Sequence, residues 1–370
     1  MQGLERALAS LAASLLPGGR LVSYEPLGPD VSGAAGADAE KALGYGNPVR
    51  LTVADGAGTL RSFVFRTEAA NEFGHERLAD RTAEALGAWD LFNRMPDHVR
   101  ALDVGTLDDR GRPVSLRAAG EPYLVTEWIE GTRYADDLRR IAREHVLGPR
   151  DVARAEALAR WLVALHAERL DDPGGWRRAV RDLVGAGEGI FGIVDGYPPD
   201  TPAAPPERLQ ALEERCLAWR WRLRGRPARL ARTHGDFHPF NILFRPGGDG
   251  LGLALLDASR GGQGDPADDV TALAVNYVLF AAERRDAWRP ALAALWRRFW
   301  EVYLAGARDP GVLETAPPFL AWRALVVACP RFYPGLSAPA RDLLLTLAER
   351  VLDDGRIDLD LPDRLLAEPR

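Results

Sequence analysis

The chain has one lysine, Lys41, and two cysteines, Cys216 and Cys329, among its 370 residues. Its basic side chains are therefore almost all arginines. They are spread along the chain among acids, as on a solvated surface, and the net charge is −6. That balance leaves no basic footprint for nucleic acid, which is not expected as a partner. Two thiols make no disulfide framework, and neither sits in a metal-ligand spacing. Cys216 falls on an apolar helix face and is expected as a buried core thiol. Long apolar runs are also missing. The longest, around Val270–Ala282, holds Asn276 and is too short to span a bilayer. Leu4, Leu8, Leu11 and Leu15 recur at helical spacing with Glu5 and Arg6 between them, which makes a short amphipathic helix rather than a secretion signal. The expected setting is a reducing cytoplasm, with no membrane partner.

What is present divides into two parts. In the first, residues 28–40 read as a loop, and Leu43–Val53 reads as a glycine turn (Gly44, Gly46, Asn47) entering a strand. Asp55-Gly56 and Gly58 mark a hairpin, with Ser62–Arg66 as the return strand. A helix is expected over 75–94, then strands over Val99–Gly105 and Glu121–Ile129, the last ended by Glu130-Gly131. This order suits a small mixed sheet with one helix. After residue 131 the pattern turns helical. Val152, Ala155, Leu158, Leu162 and Leu165 trace one helix face, and Leu209, Leu212, Cys216, Trp219 and Leu223 another. Residues 171–206 form a Gly- and Pro-rich insertion, and the C-terminal tryptophans Trp288, Trp296, Trp300 and Trp322 are read as core. The expected domains are 1–130, with a helical extension over 1–40, and 131–370.

The chemistry concentrates in Thr233-His234-Gly235-Asp236-Phe237-His238-Pro239-Phe240-Asn241-Ile242-Leu243-Phe244. An acid and an amide stand five residues apart before an apolar strand. Pro246-Gly247-Gly248-Asp249-Gly250 supplies a turn, and Leu253-Ala254-Leu255-Leu256-Asp257 returns with a second acid at its end. Phosphoryl transfer needs these parts: a carboxylate to orient a hydroxyl and take its proton, and oxygen ligands for Mg²⁺. Asp236 is read as the base, and Asn241 with Asp257 as the metal pair. His238 lacks the His or Cys partners that zinc wants, so His234 and His238 are read as loop scaffold, and His166 as a satisfied core histidine. In Gly264-Asp265-Pro266-Ala267-Asp268-Asp269, Asp265 is expected to cap a helix with Pro266 at its first position, the other two acids lying in the first turn. A brace on the catalytic loop is a secondary role for this segment.

His234-Gly235-Asp236 through Asn241, followed by Leu255-Leu256-Asp257 and Gly264-Asp265-Pro266, resembles the aminoglycoside phosphotransferase and choline kinase group within the protein-kinase-like fold. Tyr123–Gly131 is similar to that family's linker between lobes, and Leu162–Ala167 to its helix ahead of the catalytic loop. The likeness covers roughly 40–300 in layout and is specific at 233–270. It implies an α+β fold of two lobes: a small mixed β-sheet N-lobe and a mainly helical C-lobe, with Mg·ATP or Mg·GTP in the cleft. Asp236 would be the catalytic base, Asn241 and Asp257 the metal ligands, and the backbone of Glu127, Trp128 and Ile129 would meet the purine. Gly44, Gly46 and Asn47 would let the backbone approach the phosphates.

Two departures from that family stand out. The place of the usual phosphate-binding lysine is taken by Arg66, since Lys41 lies before the glycine turn. A guanidinium can grip phosphate bidentately and keeps its charge. Its acidic partner is expected to be Glu84 or Glu76. After Asp257 the chain reads Ala258-Ser259-Arg260, which argues for a small-molecule enzyme rather than a regulated protein kinase. The expected function is transfer of the terminal phosphate of ATP or GTP to a hydroxyl of a small polar molecule: an aminoglycoside-like compound, an amino alcohol or a sugar. Asp195 and Tyr197 are candidate pocket residues, and Asp268, Asp269 and Glu283 are acids that could serve a cationic acceptor. The alternative is a catalytically inactive nucleotide-binding module of the same fold.

Overall fold

The computed structural model describes residues 2–27, 48–258, 260–309 and 311–367. The expected glycine turn, with Lys41, Gly44, Gly46 and Asn47, lies outside them. The chain divides into two compact units, Met1–Thr126 and Glu127–Arg370.

In the first unit, α1 (Gln2–Leu15) is followed by β1 (Arg20–Pro26), β2 (Val49–Ala54) and β3 (Leu60–Phe65). These strands pair antiparallel in the order β1-β2-β3, with Arg50 opposite Val64 and Leu51 opposite Phe63. Val49, Leu51 and Val53 alternate along β2 and bury one face of the sheet; Leu8 and Ala12 of α1 complete that core. The helix α2 (Leu78–Phe92) buries no residue fully. A short hairpin, β4 (Gly105–Leu107) with β5 (Pro113–Ser115), closes the unit.

Three expectations change here. All described pairings are antiparallel, so the sheet is not mixed. Val99–Val104 is irregular, and pairing begins only at Gly105. Residues 121–131 form no strand: Tyr123, Leu124, Val125 and Trp128 are all at least 80% exposed. A short apolar run looks like a strand by composition, but a strand needs a partner to accept its backbone hydrogen bonds, and this run has none.

The second unit is mainly helical. After β6 (Thr132–Arg133) come α3 (Tyr134–Glu144), α4 (Pro149–His166), α5 (Pro173–Gly185), α6 (Ile190–Asp195) and α7 (Pro206–Arg224). The insertion over 171–206 therefore carries two helices. Then come β7 (Ile242–Phe244), β8 (Leu253–Leu255), α8 (Ala267–Ala282), α9 (Ala293–Ala307), α10 (Val312–Thr315), α11 (Pro317–Ala328), α12 (Ala338–Asp354) and α13 (Leu361–Ala367). The strands form an antiparallel sheet in the order β6-β7-β8. Leu209, Leu212, Cys216, Trp219 and Leu223 are all buried on α7, and burial pushes the Cys216 thiol up to about 12. Trp288, Trp296 and Trp300 lie fully inside the same core. No helix among the described residues is long and apolar enough to cross a membrane.

Candidate active site

The loop from Ala231 to Asn241 is held on three sides. Its entry pairs with the segment before α8: Ala231 and Gly264 exchange backbone hydrogen bonds at 2.9 and 3.0 Å, and Gly262 N–H donates to Thr233 O at 2.9 Å. Phe237 is fully buried and stacks on Trp161 with ring centroids 5.2 Å apart. Gly235 adopts φ +82°, and a Cβ there would lie 2.5 Å from the backbone carbon of Arg260, so the position requires glycine.

The third hold is Asp269 in the first turn of α8. Its Oδ2 accepts the His234 N–H at 2.7 Å and its Oδ1 the Gly235 N–H at 2.8 Å. His166 Nε2 lies 3.2 Å from Oδ2, and His166 Nδ1 lies 2.8 Å from the Tyr303 hydroxyl. Asp269 and His166 are both buried. Burial alone would push the Asp269 carboxyl up, but His166 and the two backbone N–H groups outweigh it and hold it below the ordinary range. His166 is thus a satisfied core histidine, as expected, and through Asp269 it also supports the loop.

Asp265 sits one residue further out than expected. The helix begins at Ala267, and Asp265 Oδ1 accepts the Ala267 N–H at 2.9 Å. Its carboxylate also takes the Arg229 guanidinium as a fork, at 2.7 and 2.8 Å.

Asp236 is surrounded by donors. Arg260 Nη2 lies 2.5 Å and Arg323 Nη1 3.0 Å from Oδ1, while Asn241 Nδ2 lies 3.1 Å and His238 Nε2 3.2 Å from Oδ2. Burial would raise this carboxyl, but the His238 hydrogen bond and the Arg323 and Arg260 charges hold it far below the usual carboxylate range. The structure thus brings Asp236 and Asn241 into direct contact. His234 Nδ1 accepts from the Asp236 N–H at 3.3 Å, a scaffold role.

Asp257 arrives by register. Ile242 lies opposite Leu255, and the Leu256 N–H donates to Asn241 O at 2.9 Å, so Asn241 faces the residue just before Asp257. Asp257 is exposed and has φ +49°, a conformation that Asp tolerates better than most residues.

The other expected residues are placed differently. Arg66, just past β3, donates to Glu68 from Nε at 2.9 Å and from Nη2 at 2.8 Å. Glu84 pairs with His75, and Glu76 lies before α2 begins. Trp128 Nε1 donates to Glu130 at 2.7 Å, within a Glu127–Ile129 segment that has no regular structure. Tyr197 is buried with its hydroxyl donating to Leu325 O at 2.6 Å, which removes it as a pocket residue, while Asp195 is exposed at the end of α6. The three acids considered for a cationic acceptor are all engaged internally: Asp268 with Arg323 Nη2 at 2.5 Å, Asp269 as above, and Glu283 with Ser337. Sequence reasoning placed Asp269 in a helix turn and among the acids for a cationic acceptor, and it missed Arg260 and Arg323 as partners of Asp236. Arg260 could have been found from its closeness to Asp257; Arg323 has no local signal.

A model of the APH phosphotransferase enzyme family matches residues 42–308. The chain belongs to this family. It is a phosphotransferase by membership, with an α+β fold. Among solved structures this phosphotransferase is similar to a glucosamine kinase in complex with glucosamine, ADP and inorganic phosphate, at 23% identity and TM-score 0.39. That match covers 63% of this chain and 60% of the other, so the matched part spans less than two thirds of that relative's length. It is also similar to aminoglycoside phosphotransferase APH(3'')-Id from Streptomyces rimosus, at 18% identity and TM-score 0.35, over 88% of this chain and 97% of that one. A choline kinase from Streptococcus pneumoniae matches at 14% identity and TM-score 0.33, over 95% and 99%. No curated protein matches the sequence significantly. Family membership rests on the sequence match alone.

Proposed function

We propose that this phosphotransferase moves the terminal phosphate of ATP or GTP, with Mg²⁺, to a hydroxyl of a small polar molecule. The observation that carries the reading is the Asp236–Asn241 contact, set in register with Asp257 by the β7–β8 hairpin. Asp236 orients the acceptor hydroxyl and receives its proton as the oxygen–phosphorus bond forms and the bond to the nucleoside diphosphate breaks. Arg323 and Asn241 hold the carboxylate in place, so its first contribution is orientation.

The Asn241 amide nitrogen is turned to Asp236, which leaves its amide oxygen as a donor; Asp257 adds a carboxylate. Two hard oxygen donors on one hairpin fit Mg²⁺, and these two residues would hold it. The ion supplies neutralisation of the phosphate charge when bound. Arg66 is proposed to grip the nucleotide phosphates, exchanging Glu68 for them, and the backbone of Glu127, Trp128 and Ile129 to meet the purine. Gly44, Gly46 and Asn47 keep their proposed place at the phosphates. The acceptor is left open among sugars, amino alcohols and aminoglycosides, but Asp268 and Asp269 are not spare carboxylates for its ammonium groups.

The test is a thermal-shift titration with ATP and GTP, with and without Mg²⁺, on wild type and Asp257→Ala. Ligand at about a hundred times its dissociation constant stabilises by roughly 2.7 kcal/mol. A Mg²⁺-dependent shift lost in Asp257→Ala supports the reading, and no shift with either nucleotide sinks it. Asp236→Asn separates the enzyme from an inactive module: it keeps nucleotide binding and loses transfer only in the enzyme.

A further inference from the structure

We infer that Arg323, on α11 and outside the family-matched segment, is the positioning residue that aims Asp236. This rests on the reading of Asp236 as the group that orients the acceptor. The observation is a full set of donors on one carboxylate. Two oxygens offer about four lone-pair sites, and Arg260, Arg323, Asn241 and His238 fill them. An acceptor hydroxyl must therefore displace one donor, and the geometry says which of them stays.

Arg323 is only 6% exposed in its side chain and is tied at two further points: Nη2 donates to Gly235 O at 2.8 Å and to Asp268 Oδ1 at 2.5 Å. Its guanidinium lies 4.0 Å from the centroid of the Trp322 ring. One planar fork thus joins Asp236, the backbone of the obligatory Gly235 and the first turn of α8. Asn241 is likewise doubly tied, through the Asp236 carbonyl oxygen at 3.2 Å. Arg260 is 23% exposed and is tied as well, since its Nη2 also donates to Gly235 O at 2.8 Å and its Nε reaches the exposed Glu188 at 3.3 Å. His238 is 29% exposed, and its Nδ1 accepts the Phe240 N–H at 3.2 Å, so it holds Asp236 through Nε2 alone. Arg323 is the buried, fixed member of the donor set, and His238 the exposed member that yields to the acceptor. A lysine could hold one of these acceptors but not present the fork.

The experiment compares wild type, Arg323→Met, Arg323→Lys and Asp236→Asn. The first readout is phosphate transfer from Mg·ATP to water as probe acceptor, resolved into kcat and KM for ATP, and the second is nucleotide binding followed by thermal shift. In Arg323→Met kcat should fall about 100-fold, as expected for a misplaced reacting group, with the KM for ATP and nucleotide binding unchanged. Arg323→Lys should keep nucleotide binding without restoring the rate. A purely structural Arg323 would lower thermal stability and leave kcat at its wild-type value below the melting temperature, and that result overturns the inference. If Arg323→Met does not fold, the Lys variant decides: a wild-type rate from it overturns the inference too. Transfer that persists in Asp236→Asn defeats the reading of Asp236 itself, whereas a dead Asp236→Asn beside a wild-type Arg323→Met defeats only the inference. Where water is too poor an acceptor to give a rate, glucosamine replaces it as the probe.

Discussion

Among the described residues, the second unit buries charged side chains and the first buries none. In the first, Arg66 meets Glu68 and Arg50 meets Glu25 with the arginine side chains 44% and 52% exposed. The second unit places Asp269, His166, Asp265 and Arg323 inside the protein, each with several partners. Exposed pairs contribute little and exchange partners readily, while a buried carboxylate that loses its donors is costly. The Asp236 loop is fixed in the second way, by Asp269 and His166 in the interior.

The comparison can be broken most severely at Asp269. Asp269→Ala strands His166 and two backbone N–H groups in the interior, and is expected to cost about 3–5 kcal/mol, read by chemical denaturation. The same surgery on the first unit's small core is slightly milder. Leu51 is 1% exposed, and Leu51→Ala is expected to cost about 2–5 kcal/mol. Gly235→Ala forces a Cβ into the Arg260 backbone at positive φ. It is expected to lose about 1–3 kcal/mol from the backbone conformation alone, and transfer activity falls further than stability because the loop itself shifts. A pH series sharpens the contrast. The Asp236 carboxyl is depressed in the folded state, so its stabilisation is complete above the unfolded value of about 3.9 and is lost as pH falls toward the folded value. Between about pH 5 and pH 3, wild type should therefore lose stability more steeply than Asp236→Asn; equal slopes would contradict the clamp. The smallest effect belongs to the exposed pair. Arg50→Ala, whose partner Glu25 is also exposed, should change stability by about 0–1 kcal/mol, while Arg66→Ala should weaken Mg·ATP binding in the thermal-shift assay.

Those outcomes also separate what the sequence makes legible from what it hides. The chemistry of residues 233–257 is local: acid, amide, strand, turn, strand and acid follow one another, so the hairpin register that unites Asn241 with Asp257 can be read from the order of residues. The α7 stripe of Leu209, Leu212, Cys216, Trp219 and Leu223 is legible for the same reason, because a helix repeats its own face. Tyr123–Ile129 misleads because strand formation depends on a partner that composition does not specify. Asp269 is half legible. Its place in the first turn of a helix is visible, but the N–H groups that donate to it lie 34 and 35 residues earlier in the chain. Arg323 is hidden altogether, since it meets Asp236 across 87 residues and nothing in Ala321-Trp322-Arg323-Ala324 marks it as different from the many other arginines.

The β7–β8 hairpin has a practical consequence for anyone who wishes to watch this enzyme work. Its tip at Gly247 and Gly248 is open, with nothing within 4 Å of either position, whereas Gly250 a little further on is pinned by Arg154 at 3.2 Å. A peptide tag or dye-bearing insert placed between Gly247 and Gly248 would ride on the same rigid ribbon as Asn241 and Asp257 without altering their alignment. One extra residue inside either strand would instead turn every following side chain to the opposite face. The hairpin is therefore both a mounting point for a reporter and a ruler that tolerates no change of scale.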